Sequence, residues 1–155
     1  LEQEYTDFLK ETKLDLLYPG EDFHFTLPGQ YDKILQHISV HRWFMGEKLN
    51  RPISDEEAIK GWYEEVFQPV VQIIQEHNIL KDFPQRTPMD LYLWILEHRW
   101  YLAEEQKDRV SVESAALHFS RQFSKRPFRH TRQTWDWLMR KIQRVFKNKS
   151  RPKGG

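Results

Sequence analysis

Cysteine is absent from this chain of 155 residues. Its absence excludes disulfide bonds, thiolate catalysis and zinc sites with cysteine ligands. No apolar run approaches the length that a membrane-spanning helix requires, and no signal-peptide pattern opens the sequence. We therefore expect a cytoplasmic protein without a membrane span. Because the chain begins with Leu1 rather than Met, we also expect a fragment or a processed product.

The sequence motifs of several enzyme classes are absent as well. The chain has no glycine-rich phosphate-binding loop, no nucleophile elbow and no H-E-x-x-H zinc motif. With 39% hydrophobic and 14% aromatic residues, it can nevertheless bury a core within one domain. These observations predict a folded domain that has no catalytic activity and binds no cofactor.

Acidic residues are nearly absent from the end of the chain. Residues 121–155 contain 12 Lys and Arg but only one acid, Asp136, which gives this segment a net charge of +11. Residues 1–120 contain 12 Lys and Arg and 22 Asp and Glu, a net charge of −10. Such a division predicts a basic arm that binds an acidic partner. The alternative is that the arm folds back onto its own acidic domain.

A segment of 29 residues, 38–66, recurs without a gap at 95–123, an offset of 57. Eight of the 29 paired positions are identical, whereas average composition predicts roughly two. The identical pairs are Ile38/Ile95, His41/His98, Arg42/Arg99, Trp43/Trp100, Glu47/Glu104, Ser54/Ser111, Glu56/Glu113 and Ala58/Ala115. The recurrence predicts a duplicated helical unit. Residues that both copies share are expected to serve the architecture, so we expect Trp43, Trp100, His41 and His98 to be largely buried.

Hydrophobic periodicity and helix-capping patterns predict the secondary structure. Helices are predicted at 2–13, at 30–49, from Ser54 to about His77 with a kink or a restart at Pro69, from Thr87 through Leu102, from Ser111 to before Pro127, and at about 131–147. Phe23, Phe25 and Leu27 alternate with polar residues, so a short extended piece is predicted to pack as an arm.

The predicted fold class is all-α, a helical bundle of two pseudo-repeated helical hairpins with an N-terminal arm and a basic C-terminal helix. The duplicated helical domain is predicted at 1–128, with repeats at about 30–78 and 87–126. A basic amphipathic helix is predicted at 129–147 and a disordered basic tail at 148–155.

The C-terminal helix combines an apolar stripe with a cationic flank. Such a helix can present its cations to nucleic-acid phosphates, lie on an anionic membrane, or enter the groove of a partner protein. We expect DNA or RNA as the partner and no membrane span. The predicted nucleic-acid-binding residues are Arg129, Arg132, Arg140, Lys141, Arg144, Lys147, Lys149, Arg151 and Lys153.

Three histidines suggest a metal site as an alternative to nucleic-acid binding. His37 and His41 are four residues apart on one predicted helix, where they could bind a metal ion together. Glu47, Glu97 and His98 could add ligands if the two repeats face each other. The second copy has Trp94 in place of His37, so the pair is not duplicated. We therefore predict no metal site, and a metal-dependent enzyme that uses His37, His41 and His98 is the less favoured alternative.

Charged side chains on the predicted helices suggest two further roles. Asp90, Glu97 and Glu104 are spaced by seven residues, so they lie on nearly the same side of one helix. Paired carboxylates can act in general acid–base catalysis, but this spacing is also typical of a solvated helix face, which we favour. Arg42 and Arg99 are expected to pair with Glu47, Glu104 or neighbouring acids across helices.

The chain contains two adjoining stretches, Phe83-Pro84-x-Arg86-Thr87-x-x-Asp90-Leu91-Tyr92-Leu93-Trp94-Ile95 and Leu96-Glu97-His98-Arg99-Trp100-Tyr101-Leu102-Ala103-Glu104. With these stretches, about residues 20–125 resemble a bacterial family known as domain of unknown function 4032. The resemblance assigns no chemistry. It implies the C-terminal module of a longer chain, after a ParB-like or a lipopolysaccharide-kinase-like domain, and a regulatory role beside nucleic acid.

Taken with the basic segment, the resemblance predicts a non-catalytic helical regulatory module that binds nucleic acid. The alternative is a protein–protein interaction module of a larger signalling or envelope-related chain, whose partner is another protein or a missing N-terminal domain.

Overall fold

A computed structural model of the protein describes residues 1–124 and residue 140. Its helices are α1 (Glu2–Thr12), α2 (Leu14–Leu17), α3 (Tyr31–Leu49), α4 (Asp55–Trp62), α5 (Gln68–Glu76), α6 (Pro88–Gln106) and α7 (Val112–Phe123). A π-helical turn lies at Tyr63–Phe67 and a 3₁₀ turn at Ile79–Asp82. No strand occurs among the described residues. The all-α prediction is confirmed.

The chain divides into two compact units, Leu1–Leu93 and Trp94–Gly155, with the boundary inside α6. The first unit contains α1 to α5 and the first residues of α6, and the second contains the rest of α6 and α7. The predicted helix at 129–147 and tail at 148–155 lie outside the described residues, except for Arg140. Within the described part of the chain, no helix is long and apolar enough to cross a bilayer.

The capping residues that the sequence predicts begin two of the helices. Ser54 Oγ accepts a hydrogen bond from Glu57 N at 3.2 Å, and Glu57 Oε2 accepts one from Ser54 N at 3.0 Å. This reciprocal pair is a capping box, and it fixes the start of α4. Ser111 Oγ accepts from Ser114 N at 3.1 Å and begins α7 in the same way, without the reciprocal acid.

At Pro69, where a kink or a restart of the helix is predicted, the structure has a widened helical turn just before the proline. Proline has no N–H, so the carbonyl four residues earlier loses its usual α-helical partner. The backbone forms the π-helical turn Tyr63–Phe67 immediately before the proline and then continues as α5. The helix therefore continues past the proline to Glu76, close to the predicted end at about His77.

Aromatic rings fill the core of the first unit. The Trp62 indole packs against Phe67, with ring centroids 5.1 Å apart, and meets Tyr92 edge-on at 5.8 Å. Trp62 Nε1 donates a hydrogen bond to the Tyr92 hydroxyl at 2.9 Å, so the polar end of each buried ring has a partner. The first residues of α6 are thereby tied to α4 within this unit.

The N-terminal arm packs through two of its three predicted apolar residues, and the third, Leu27, is 39% exposed. Phe23 and Phe25 are buried. The Tyr31 hydroxyl donates to the carbonyl of Phe23 and accepts from the N–H of Phe25, both at 3.1 Å. The arm forms no strand. In place of a neighbouring strand, the Tyr31 hydroxyl provides the hydrogen-bond partner for both backbone groups, the Phe23 carbonyl and the Phe25 N–H.

The bounds of the helices agree with the offset between the two copies. Helices α3 and α6 each have 19 residues and begin 57 positions apart, and α4 and α7 also begin 57 apart. Asn50 and Lys107, which follow the two long helices at that same offset, both have left-handed backbones, with φ of 52° and 53°. Equivalence of the two backbones stays a prediction, which superposition of residues 38–66 on 95–123 tests.

Candidate functional site

Of the nine predicted nucleic-acid-binding residues, the structure describes Arg140. Arg140 is helical and exposed. The other eight lie outside the described residues: Arg129, Arg132, Lys141, Arg144, Lys147, Lys149, Arg151 and Lys153. Their role therefore stays a prediction from charge.

His37, a candidate metal ligand only in the less favoured alternative, lies partly buried on α3 and has a protein partner. Its Nδ1 is 2.8 Å from the Tyr92 hydroxyl. That hydroxyl already accepts from Trp62 Nε1, so its own proton is free to be donated to His37 Nδ1. Burial, together with the positive charge of Lys33, lowers the pKa of His37 to about 4. The imidazole is thus neutral at pH 7 and engaged in the core.

His41 and His98 have separate partners. His41 Nε2 lies 3.0 Å from Glu65 Oε2, within ion-pair distance but without hydrogen-bond geometry. His98 Nε2 lies 2.7 Å from His118 Nδ1, and burial and then the charge of His118 lower the pKa of His98 to about 4. Among the described residues, no group of three His, Cys, Asp or Glu side chains could hold a metal ion.

The carboxylate series on α6 differs from the prediction of a solvated face. Asp90 is 1% exposed and Glu97 is 3% exposed, whereas Glu104 is exposed. The prediction is wrong for the first two because α6 is covered along much of its length. Seven-residue spacing identifies residues on one side of a helix but does not reveal what covers that side.

Asp90 fastens the N-terminal arm to the start of α6. Its carboxylate accepts hydrogen bonds from Thr26 N at 3.1 Å, from Thr26 Oγ1 at 2.7 Å and from Thr87 N at 3.0 Å. Arg86 donates to the same threonine hydroxyl at 2.8 Å. With three donors on its two oxygens, this carboxylate serves the architecture, and its partners leave it poorly placed to exchange protons with a substrate.

Residues that both copies share were predicted to be buried, and this prediction is confirmed for His98 and wrong for Trp100. His98 is 2% exposed, but Trp100 is 41% exposed; Trp43 and His41 are intermediate. The reason is helical geometry. Trp94, His98 and Leu102 are spaced by four, and the first two contact Phe119 of α7. Trp100 lies two residues from His98 and therefore projects from the opposite side of α6.

Trp100 lines a surface pocket of about 480 Å³ at the junction of α6 and α7, which we call the loop pocket. Its lining residues are Arg99, Trp100, Ala103, Lys107, Asp108, Arg109 and Val110. Three of them are cations and one is an acid. Arg99 Nε donates to the carbonyl of Val110 at 2.7 Å, which holds the guanidinium at the pocket. The sequence had instead predicted an acidic partner for Arg99.

The corresponding loop of the first hairpin is neutralised. Arg42 bonds to Asp55 at 2.5 Å, which confirms the predicted pairing with a neighbouring acid, and Arg51 NH2 lies 2.8 Å from Glu57 Oε1. At the offset of 57, these two acids correspond to Val112 and Ser114. The second hairpin therefore has neither acid at these positions, and it has Lys107, Asp108 and Arg109 where the first has Asn50, Arg51 and Pro52. This difference is visible in the sequence and could have identified the loop pocket.

Residues 54–123 match the model of a family described as Domain of unknown function (DUF4032). The match supports the resemblance over a shorter segment than the predicted 20–125, and it includes both quoted stretches. No curated protein and no solved structure matches the chain. The family description assigns no activity, so the proposal that follows depends on charge and geometry.

Proposed function

We propose that the chain is a non-catalytic helical regulatory module that binds nucleic acid through residues 129–153. The observation that carries this proposal is the division of charge, +11 over residues 121–155 against −10 over residues 1–120. A cluster of cations that releases counterions from phosphates gives affinity without base recognition. The expected binding is therefore strong at low salt and largely independent of sequence.

The pattern within residues 131–147 supports the same proposal. The apolar residues that share one helical face are Trp135, Leu138, Met139, Ile142, Val145 and Phe146. A helix that packs this face leaves its cationic flank available for phosphates. Arg140, which belongs to that flank, is exposed and helical.

We propose a non-catalytic module because the side chains that could act in catalysis are hydrogen-bonded to other side chains of the protein. Tyr92 occupies Nδ1 of His37, and His98 is buried against His118. Asp90 is saturated by donors from Thr26 and Thr87. Each of these contacts lies within one unit, those of His37 and Asp90 in the first and that of His98 in the second, and Asp90 and His98 are buried.

The experiment compares a triple charge reversal with a matched control. Arg140→Glu, Arg144→Glu and Lys147→Glu change the net charge of the basic segment by −6. The control makes the same change at exposed lysines elsewhere, with Lys10→Glu, Lys48→Glu and Lys81→Glu. Fluorescence anisotropy with labelled DNA and RNA at 50 mM salt measures the affinity of each protein.

The proposal predicts that the triple reversal weakens binding of all sequences alike, whereas the control changes affinity much less. Equal effects of the two variants would mean that only overall charge matters and would contradict the assignment to residues 129–153. Anionic liposomes provide the competing arm. Binding to liposomes without binding to nucleic acid would replace the proposal with a membrane-surface helix.

We further propose a cytoplasmic location and a place as the C-terminal module of a longer chain with a ParB-like or a lipopolysaccharide-kinase-like domain. The match over residues 54–123 supports the family context. The reading frame upstream of the segment tests this arrangement. A ParB-like domain there would favour DNA, and a kinase-like domain would favour the alternative, a protein-interaction role.

A further inference from the structure

The loop pocket combines an exposed aromatic ring with several cations. Trp100 is 41% exposed, and the charged residues around it are Arg99, Lys107, Asp108 and Arg109. A volume of about 480 Å³ is large enough for a ring and an attached phosphate. The lining therefore carries the two features that a nucleotide requires, a flat stacking surface and positive charge.

The cations of the loop pocket are available to a ligand. Within residues 1–124, no acidic side chain forms a salt bridge with Arg99, Lys107 or Arg109. Arg99 uses its Nε–H on the carbonyl of Val110, which orients the plane of the guanidinium and leaves its terminal N–H groups for other acceptors. A guanidinium fixed in this way suits bidentate binding of phosphate.

The first hairpin provides an internal comparison. There the equivalent loop has its arginines paired, Arg42 with Asp55 and Arg51 with Glu57. In the second hairpin those acids are replaced by Val112 and Ser114. The first hairpin thus forms with its loop arginines neutralised by acids. We infer that a helical hairpin of this kind does not need unpaired cations in its loop to fold.

The Trp100 ring also differs from the other described tryptophans. Trp43 contacts Phe44, Trp62 contacts Phe67, and Trp94 contacts Phe119. Among the described residues, Trp100 has no ring partner. An exposed indole beside cations can stack on a base, and such stacking tolerates any base because each has a π-face.

We infer that the loop pocket receives one nucleotide of a single strand, with its base stacked on Trp100 and its phosphate bound by Arg99, Lys107 and Arg109. The inference rests on the proposed nucleic-acid binding and adds a preference for single strands. In a duplex the bases are paired and stacked on each other, so their faces are not available to Trp100.

The experiment measures anisotropy of a labelled single-stranded oligonucleotide and of the duplex of the same sequence. Trp100→Ala is expected to weaken single-strand binding by about 5- to 100-fold and to leave duplex binding nearly unchanged. Trp100→Phe retains a ring and should restore much of the affinity. Phe44→Ala, which removes a similarly exposed ring from the first hairpin, is the matched control.

A second pair of variants tests the cations. Lys107→Glu with Arg109→Glu should weaken single-strand binding by about tenfold at low salt. Lys10→Glu with Lys48→Glu makes the same change in net charge elsewhere and is expected to have a smaller effect. These four residues are exposed, so none of the variants disturbs the core.

Outcomes separate this inference from the proposed function. If the protein binds nucleic acid but Trp100→Ala leaves single-strand affinity unchanged, the inference is wrong and the proposed function stands. If Trp100→Ala weakens binding while the triple reversal of the basic segment does not, the inference stands and the assignment to residues 129–153 is wrong.

Two further ligands distinguish the source of the nucleotide. A free nucleoside triphosphate that binds in a Trp100-dependent way, with no binding of the strand, would overturn the assignment to a strand. Trp100-dependent binding of a polyglutamate peptide, with no binding of the oligonucleotide, would assign the pocket to acidic proteins and overturn the inference altogether.

Discussion

Nε2 of His98 lies 2.7 Å from Nδ1 of His118, and His98 is buried. At this distance one nitrogen must carry a proton and the other must accept it, so protonation of both rings breaks the hydrogen bond. Burial and the neighbouring imidazole lower the pKa of His98 to about 4. Stability of the second unit should therefore depend on pH.

The first prediction is a loss of stability as the pH falls. Because the folded pKa of His98 is about 4 and the ordinary value is 6.5, the unfolded chain binds more protons below about pH 6.5. This residue should cost the fold about 2 kcal/mol between pH 7 and pH 5. Urea unfolding of the wild type and of His98→Gln at both pH values measures the difference. An identical pH dependence in the two proteins would contradict the assignment.

The second prediction concerns the Tyr92 hydroxyl, which accepts from Trp62 Nε1 and contacts His37 Nδ1. Tyr92→Phe removes this group and leaves the buried indole N–H without its partner. The free energy of unfolding should fall by about 1–3 kcal/mol. Tyr101→Phe, at an exposed tyrosine, should change it by less than about 0.5 kcal/mol. If Tyr92→Phe and Tyr101→Phe lowered the free energy of unfolding equally in chemical denaturation, the buried hydrogen bonds of Tyr92 would not contribute to stability.

The third prediction concerns the attachment of the N-terminal arm. Asp90→Asn replaces one carboxylate oxygen with an amide NH₂, so Thr26 and Thr87 can no longer all donate to this side chain. We expect a loss of about 1–3 kcal/mol and faster hydrogen exchange at the Thr26 amide. Unchanged exchange at Thr26 would show that other contacts hold the arm.

The fourth prediction separates the tryptophans by their burial. Trp62→Ala should cost about 3–5 kcal/mol, as for other large truncations in a core. Trp100→Ala should cost about 1 kcal/mol or less, because much of its ring is already in contact with water. Denaturant unfolding ranks the two variants. A larger loss for Trp100→Ala would mean that this ring has a structural role instead of a binding role.

Local signals in the sequence predict much of the fold. Ser54 and Glu57 carry a capping box whose partners are three residues apart, so no distant contact is needed to form it. Thr87 and Asp90 begin α6 in the same way, with Asp90 N donating to Thr87 Oγ1 at 3.3 Å. The pairing of the two copies gave the offset at which the helices begin, and superposition of their backbones will test the duplication itself.

Distant contacts account for what the sequence did not predict. Burial of Asp90 depends on Thr26, 64 residues away along the chain. Exposure of Trp100 depends on which side of α6 contacts α7, and the hydrophobic pattern of α6 is too uniform to decide between its sides. The loop pocket could be found only by comparing the two hairpins. Within residues 1–124, its cations have no acidic partners because Val112 and Ser114 stand where the first hairpin has Asp55 and Glu57.

The dependence of nucleic-acid affinity on salt concentration tests whether the cations of residues 129–153 bind phosphates. If about six cations of residues 129–153 neutralise phosphates, log K for duplex DNA should fall linearly with log salt at a slope of about −5. The triple reversal Arg140→Glu, Arg144→Glu and Lys147→Glu should reduce both the affinity and the slope for every sequence. We expect measurable binding at 50 mM salt with this steep slope. No detectable binding of DNA or RNA at 50 mM salt would contradict the proposed function.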